Sequence, residues 1–224
     1  MTYHFNLIKF FFPIDDHLYR IKQSEKIYNM WKVTGLLLLV SMIIYGWMAS
    51  LGMGSDLLSN GAVTLSGTQY EHNKLWFVIG RILFAVLLTA LILFVPAFIF
   101  HKVTDIPYQK VVIMQQVVFV VMLIERIIWI PIFVNFGLDW YVSPFSFGII
   151  FSYLTEANWP VYFFGAISLF QIWIIWFQIK YLSYLSSIKK HWIWINVIAL
   201  HVFYWLIAAF LTYYDSLMIS GWFK

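Results

Sequence analysis

No cysteine occurs in this chain, and charged residues make up only 11% of it. The first absence excludes disulfides, thiolate metal ligation and a thiol nucleophile. The second excludes an ordinary water-facing surface. A soluble domain keeps about a quarter of its residues charged, and a surface with less than half of that would aggregate. Catalytic signatures are missing too: there is no H-E-x-x-H helix, no G-x-S-x-G elbow and no glycine-rich phosphate loop. Asp15, Asp16 and His17 come nearest to a metal motif. Three consecutive side chains rarely converge on one ion, and a solvated turn or the start of a helix accounts for them better. The expectation is a protein that is no enzyme and uses no cofactor or metal. The net charge of +4 is too small to suggest a nucleic-acid partner. Residues 1–32 hold too many charges and no short apolar core followed by a small-residue site, so no cleavable signal peptide is expected.

What is present is hydrocarbon. Of the 224 residues 62% are hydrophobic and 21% aromatic, with 12 Trp, 14 Tyr and 22 Phe; the mean hydropathy is +0.82. Amphipathic rings suit the headgroup boundary of a bilayer. Five stretches reach the length of about twenty residues that crosses hydrocarbon: 33–53, 75–100, 111–136, 158–179 and 192–214. Pro96 and Pro131 lie near helix ends, where a missing hydrogen bond is tolerated. The fold class expected is all-α, a polytopic transmembrane bundle of about five spans in one domain, 33–215. A cytoplasmic segment, 1–32, precedes it and an extracytoplasmic tail, 216–224, follows. Residues 54–74 read as a polar loop, and 102–110 as a tight turn around Pro107. In the apolar loop 137–157, residues 145–154 are too short to span and lie along the interface or re-enter.

In residues 17–32, Leu18, Ile21, Tyr28 and Trp31 fall near one helical face, with Arg20, Lys22, Lys26 and Asn29 mostly elsewhere. This predicts an amphipathic interfacial helix, and Phe10-Phe11-Phe12-Pro13 before it favours contact with lipid. Orientation follows from the cytoplasmic bias of Lys and Arg. With five spans, Lys9, Arg20, Lys22, Lys26, Lys32, Lys102, Lys110, Lys180, Lys189 and Lys190 share one side. Lys74 and Lys224 lie on the other, and Arg81 and Arg126 are inside spans. The N-terminus is therefore expected in the cytoplasm and the C-terminus outside.

Charges at hydrocarbon depth cost roughly 2.5–3.5 kcal/mol, so they face other helices and mark packing or function. Arg81 is about six residues from the outer end of its span and Glu125 about ten from the outer end of its own, which at about 1.5 Å per residue puts them at similar depth. An interhelical Arg81–Glu125 pair is expected, with Arg126 finding another acceptor. Ser168, Gln171 and Gln178 fall close to one face of the fourth span, where Gln115 and Gln116 of the third can meet them as packing contacts. Asn196 and His201 in the last span are candidate partners. Gly46, Ser50 and Gly54 have the small-xxx-small spacing that permits close helix approach.

The order of these features resembles the Yip family of five-span membrane proteins (Ypt-interacting proteins), in its short bacterial, YknW-like form. The likeness is carried by an inner turn leading into a glutamine-bearing span (IPYQKVVIMQQVVFVV), a Ser-Pro outer loop (VSPFSFGIIFSYL), a span with Leu-Phe-x-x-Trp (SLFQIWIIWFQIKYLSYLSSIKK) and a last span from Trp192, over about residues 33–214. The resemblance implies a five-span bundle with a cytoplasmic N-terminus and no catalytic residues. Eukaryotic members bind Rab-type GTPases through a long soluble N-terminal region; with only about 32 residues there, this chain does not inherit that activity. Bacterial members look like accessory membrane proteins, some associated with ABC-type exporters. The expected function is helix-mediated assembly in a bacterial cytoplasmic membrane, with lipid and a second copy or an exporter as partners. The alternative is a channel, small-solute transporter or ABC-type permease subunit using Arg81, Glu125 and Arg126. An intramembrane enzyme built on Glu125 is the third reading.

Overall fold

The computed structural model describes residues 2–10, 13–55 and 66–222. Phe11, Phe12, residues 56–65 of the loop expected at 54–74 and Lys224 lie outside them, as do the side chains of Lys9 and of the tail. The chain opens with a small cap: strand β1 (Thr2–His4), helices α1 (Leu7–Phe10) and α2 (Ile14–Gln23), and strand β2 (Lys26–Tyr28), which pairs in parallel with β1, Tyr3 opposite Ile27. The long helices are α3 (Met30–Ser50), α4 (Gly67–Thr104) and α5 (Tyr108–Phe136). After a 3₁₀ turn at Trp140–Val142 come two short helices, α6 (Gly148–Leu154) and α7 (Asn158–Gly165), then α8 (Leu169–Leu185) and α9 (Lys190–Trp222).

Four of these helices, α3, α4, α5 and α9, are long and apolar enough to cross a bilayer. Local chemistry sets their ends. Ser66 and Gln69 form a capping box at the start of α4, so that helix begins inside the stretch expected to be loop. Asp105 in the left-handed conformation, φ 55°, ends α4, and His101 Nδ1 reaches the Ile106 carbonyl at 2.6 Å. Pro107 stands before α5, where a missing N–H costs nothing. Gly137, φ 64°, closes it with its N–H on the Phe133 carbonyl, 2.8 Å.

Helix α5 is the centre of the bundle. Every residue from Val111 to Phe119 is buried, so this stretch has no outward face, as a helix apolar all round requires. It packs against α3, α4 and α8, and α9 packs on α7 and α8. Outside, Leu83, Leu87 and Leu91 form a fully apolar exposed stripe along α4, and α3 and α9 do likewise with Leu36, Leu39, Ile43 and Phe203, Phe210, Leu211. Apolar surface on this scale is stable only against lipid or another protein.

Two expectations need correction. Residues 17–32 do not form one helix: the helix is Ile14–Gln23, and Lys26–Tyr28 joins the sheet. Its apolar face is buried within the protein, Leu18 and Ile21 being fully covered. Phe10 beside it meets Phe177 and Tyr181 of α8, ring centroids 6.1 and 6.5 Å apart. Second, the stretch 158–179 is not one continuous span. It breaks between Gly165 and Leu169 into α7 and α8. Helix α9 also runs on through Trp222, over most of the segment expected as a tail.

Polar bonds hold the cap to one end of the bundle. Asp15 pairs with Lys180 of α8 at 2.7 Å, Lys22 Nζ donates to the Tyr184 carbonyl at 2.9 Å, and Lys110 Nζ donates to the Lys22 carbonyl at 3.1 Å. The α4–α5 and α8–α9 turns lie at that same end, where Ser186 Oγ donates to the Thr104 carbonyl. Within the cap, Tyr3 Oη and His17 Nδ1 are 2.8 Å apart, and burial pushes the Tyr3 hydroxyl up to about 12 from its usual 10. A group whose pKa is raised on folding stabilises the fold below its unfolded value and loses that contribution as pH rises through the folded one. The cap is expected to loosen between pH 10 and about 12. An environment-sensitive dye at Lys26→Cys reads this directly, and Tyr3→Phe should remove the transition.

Candidate functional site

The break before α8 is built by backbone pairing. Residues Phe145–Phe147 lie antiparallel to Ile167–Leu169: Phe147 N–H donates to the Ile167 carbonyl and Leu169 N–H to the Phe145 carbonyl, both at 3.0 Å. Ser168 caps α8, its Oγ accepting from Gln171 N–H at 3.2 Å. Ser146 Oγ holds the incoming loop by donating towards the Tyr141 and Ser143 carbonyls, 3.1 and 3.0 Å away. Groups freed by interrupting the helix thus find protein partners, the condition for irregular backbone at membrane depth. Helices α6 and α7 pack side by side beyond the break, with Phe151 and Phe164 stacked.

Glu125 of α5 faces this break. Its carboxylate stands against the Ser168 hydroxyl, with Arg126 as the neighbouring charge, at the α8 N-terminus, where the helix dipole favours an anion. The expected Arg81–Glu125 pair is absent from the ion pairs among the described residues. Arg81 instead turns towards the end of α3, where its Nη2 donates to the Met53 carbonyl at 3.2 Å and its guanidinium lies 5.7 Å from the Phe77 ring. Gly54 at φ +73° gives it room, since a Cβ there would sit 3.1 Å from Nη2. Arg126 lies over the Trp129 ring at 5.6 Å, one turn along its own helix. Arg81 and Glu125 thus find separate partners.

A second polar cluster lies in the cap-side half. His201 Nε2 of α9 is 2.9 Å from Gln178 Oε1 of α8, and Gln178 Nε2 points at Gln115 Oε1 of α5 at 3.5 Å. With Gln178 Oε1 as acceptor, His201 carries its proton on Nε2. Gln178 so joins three helices, and all three side chains are buried. Gln116 ties α5 to α3, donating to the Met30 carbonyl at 2.9 Å and to Thr34 Oγ1 at 2.7 Å. Gln115 Nε2 and Gln116 Oε1 have no partner among the described residues. Asn196 stays outside this cluster, exposed and bonded to the Trp192 carbonyl of its own helix. Ser168 precedes α8 as its cap and does not share a helical face with Gln178.

Sequence reasoning missed Ser146, Tyr141, Gly148 and Gly165. The two glycines sit where α6 and α7 cross the 3₁₀ turn: a Cβ on Gly165 would lie 2.5 Å from Tyr141 Cβ, and one on Gly148 would overlap the Tyr141 carbonyl. Their signal was a glycine within each of two apolar runs, legible only once the runs are known to meet. Among the described residues no three His, Asp or Glu side chains come together as metal ligands. Both sites are therefore made of hydrogen bonds between helices and one carboxylate at a helix start. No family model, curated protein or solved structure matches this chain.

Proposed function

We propose that this protein is a non-enzymatic, multi-pass component of a bacterial cytoplasmic membrane that works by lateral assembly, as an accessory to a transport complex such as an ABC-type exporter. It crosses the bilayer five times, α7 and α8 together making one discontinuous crossing, with the cap in the cytoplasm and α2 near the lipid surface. The observation that carries the reading is Gln178 bridging Gln115 and His201 across three helices. In this arrangement intramembrane polar groups fix helix against helix, as packing contacts do. The apolar outer faces of α3, α4 and α9 are left for lipid and partner. The resemblance to short Yip-family proteins agrees with this reading.

One observation favours a solute pathway instead. Interrupted helices with a helix start beside a charged side chain are how many transporters build binding sites, and Glu125 beside Ser168 has that form. The absence of native cysteine makes the test clean. In intact cells a membrane-impermeant maleimide should modify Lys74→Cys and leave Met122→Cys and Glu125→Cys untouched. Modification of the last two would favour the pathway, and failure at Lys74→Cys would overturn the orientation. Copurification in mild detergent should recover a stoichiometric membrane partner.

A further inference from the structure

At the cap end, α8 and the first turns of α9 enclose a groove of about 320 Å³ lined by Trp176, Ile179, Lys180, Ser183, Tyr184, Lys190 and Trp194. We propose that this groove holds the phosphate headgroup of one anionic phospholipid, its acyl chains running outward along Trp176 and Trp194.

Three features point to a lipid phosphate. The charge is positive and convergent: Lys180 and Lys190 both line the groove, and Lys22 lies beside it with its ammonium 5.1 Å from the Tyr184 ring. Asp15, bonded to Lys180, opposes them. Secondly, Ser183 Oγ is buried and without a hydrogen-bond partner among the described residues. A helical serine ordinarily satisfies its hydroxyl on a carbonyl four residues back, and a rotation of this side chain would bring its unused donor to the groove that Ser183 lines. Thirdly, Trp176 and Trp194 are each about half exposed, and indoles prefer the depth at which headgroup meets hydrocarbon. A soluble anion would use the lysines and have no need of the two rings. Basic pockets between helices on the cytoplasmic side suit such lipids, because that leaflet carries the anionic ones. The side of the membrane rests on the orientation proposed above; the binding chemistry does not.

The test uses the full chain in detergent, with native mass spectrometry counting retained lipid. The expected result is one phosphatidylglycerol held in preference to phosphatidylcholine of the same chains. Each lysine near the surface contributes about 1 kcal/mol, about fivefold in affinity, so Lys180→Gln with Lys190→Gln should weaken retention about 25-fold. Lys189→Gln, outside the groove, should leave it unchanged. Asp15→Asn separates binding from mere structure. It breaks a bond between cap and bundle, so a structural role predicts weaker retention, whereas removing the opposing carboxylate should strengthen it. Should the double variant fail to fold, Ser183→Ala and Asp15→Asn, with their opposite expected signs, still decide. Equal retention of the two lipids, weaker retention in Asp15→Asn, or competition by millimolar inorganic phosphate as strong as by lipid would each overturn the proposal. The Lys74→Cys labelling can fail without touching any of these readings.

Discussion

Gly148→Ala is expected to unfold the end of this bundle away from the cap, at a cost of at least about 3 kcal/mol. A methyl at this position would overlap the Tyr141 carbonyl and lie 2.7 Å from Gly165 Cα and 2.9 Å from the Val161 carbonyl. All three obstacles are backbone. A crowded side chain can rotate away, but these atoms move only if a helix moves, and moving α7 would pull apart the pairing of Phe145–Phe147 with Ile167–Leu169. Overpacking in a close-packed interior costs about 1–3 kcal/mol even where side chains can yield. The controls are built in, since Gly35 and Gly80 face open space. In those helices alanine should be neutral or stabilising by up to about 1 kcal/mol. Thermal unfolding in detergent, read beside monodispersity, ranks the three variants. A Gly148→Ala protein as stable as the parent would show that α6, α7 and the Tyr141 turn do not cross as described.

Gln178→Leu should cost about 2–3 kcal/mol, though it adds apolar surface in an apolar setting. Interhelical hydrogen bonds in membranes average only about 0.6 kcal/mol and reach about 1.7. The larger part of the loss comes from what is stranded: His201 Nε2–H and Gln115 Oε1 stay buried, and an unsatisfied buried polar group costs about 1–3 kcal/mol. That asymmetry supplies a sharper test than the single variant. Adding His201→Leu removes one stranded donor, and the double variant should regain much of the stability lost. By contrast Asn196→Leu, whose side chain bonds only to its own helix, should fall within about 0.5 kcal/mol of the parent. Equal effects at Gln178 and Asn196 would remove the three-helix bridge as a stabilising element.

Hydropathy made four of the long helices legible, because α3, α4, α5 and α9 each hold an unbroken stretch long and apolar enough to cross a bilayer. The same property concealed the break before α8. A window average weighs composition, and one serine among Phe, Ile and Leu does not move it. The break depends on where Ser168 and its neighbours find hydrogen-bond partners, which lie twenty or more residues back at Phe145 and Phe147. Arg81 and Glu125 illustrate a second limit. Counting residues from the end of an apolar stretch gives depth only if the helix begins there, and α4 begins earlier, at Gly67. Which way each side chain turns follows from how α4 and α5 rotate against their neighbours, and that is decided by contacts such as Gly54 with Arg81. The cap failed for a third reason. Residues 17–32 carry a helical apolar period, but β2 gains a ladder of hydrogen bonds from β1, a strand too short and too mixed to announce itself.

Chronology gives the cap's docking mode its last implication. Ribosomes deliver Phe10, Leu18 and Ile21 first, yet Phe177, Tyr181 and Lys180, which receive that end of the chain, emerge some 160 residues afterwards. Until then these early side chains have no native seat, and a newborn chain must park them on the bilayer surface or on a chaperone. Seating of the cap therefore waits on the synthesis of α8.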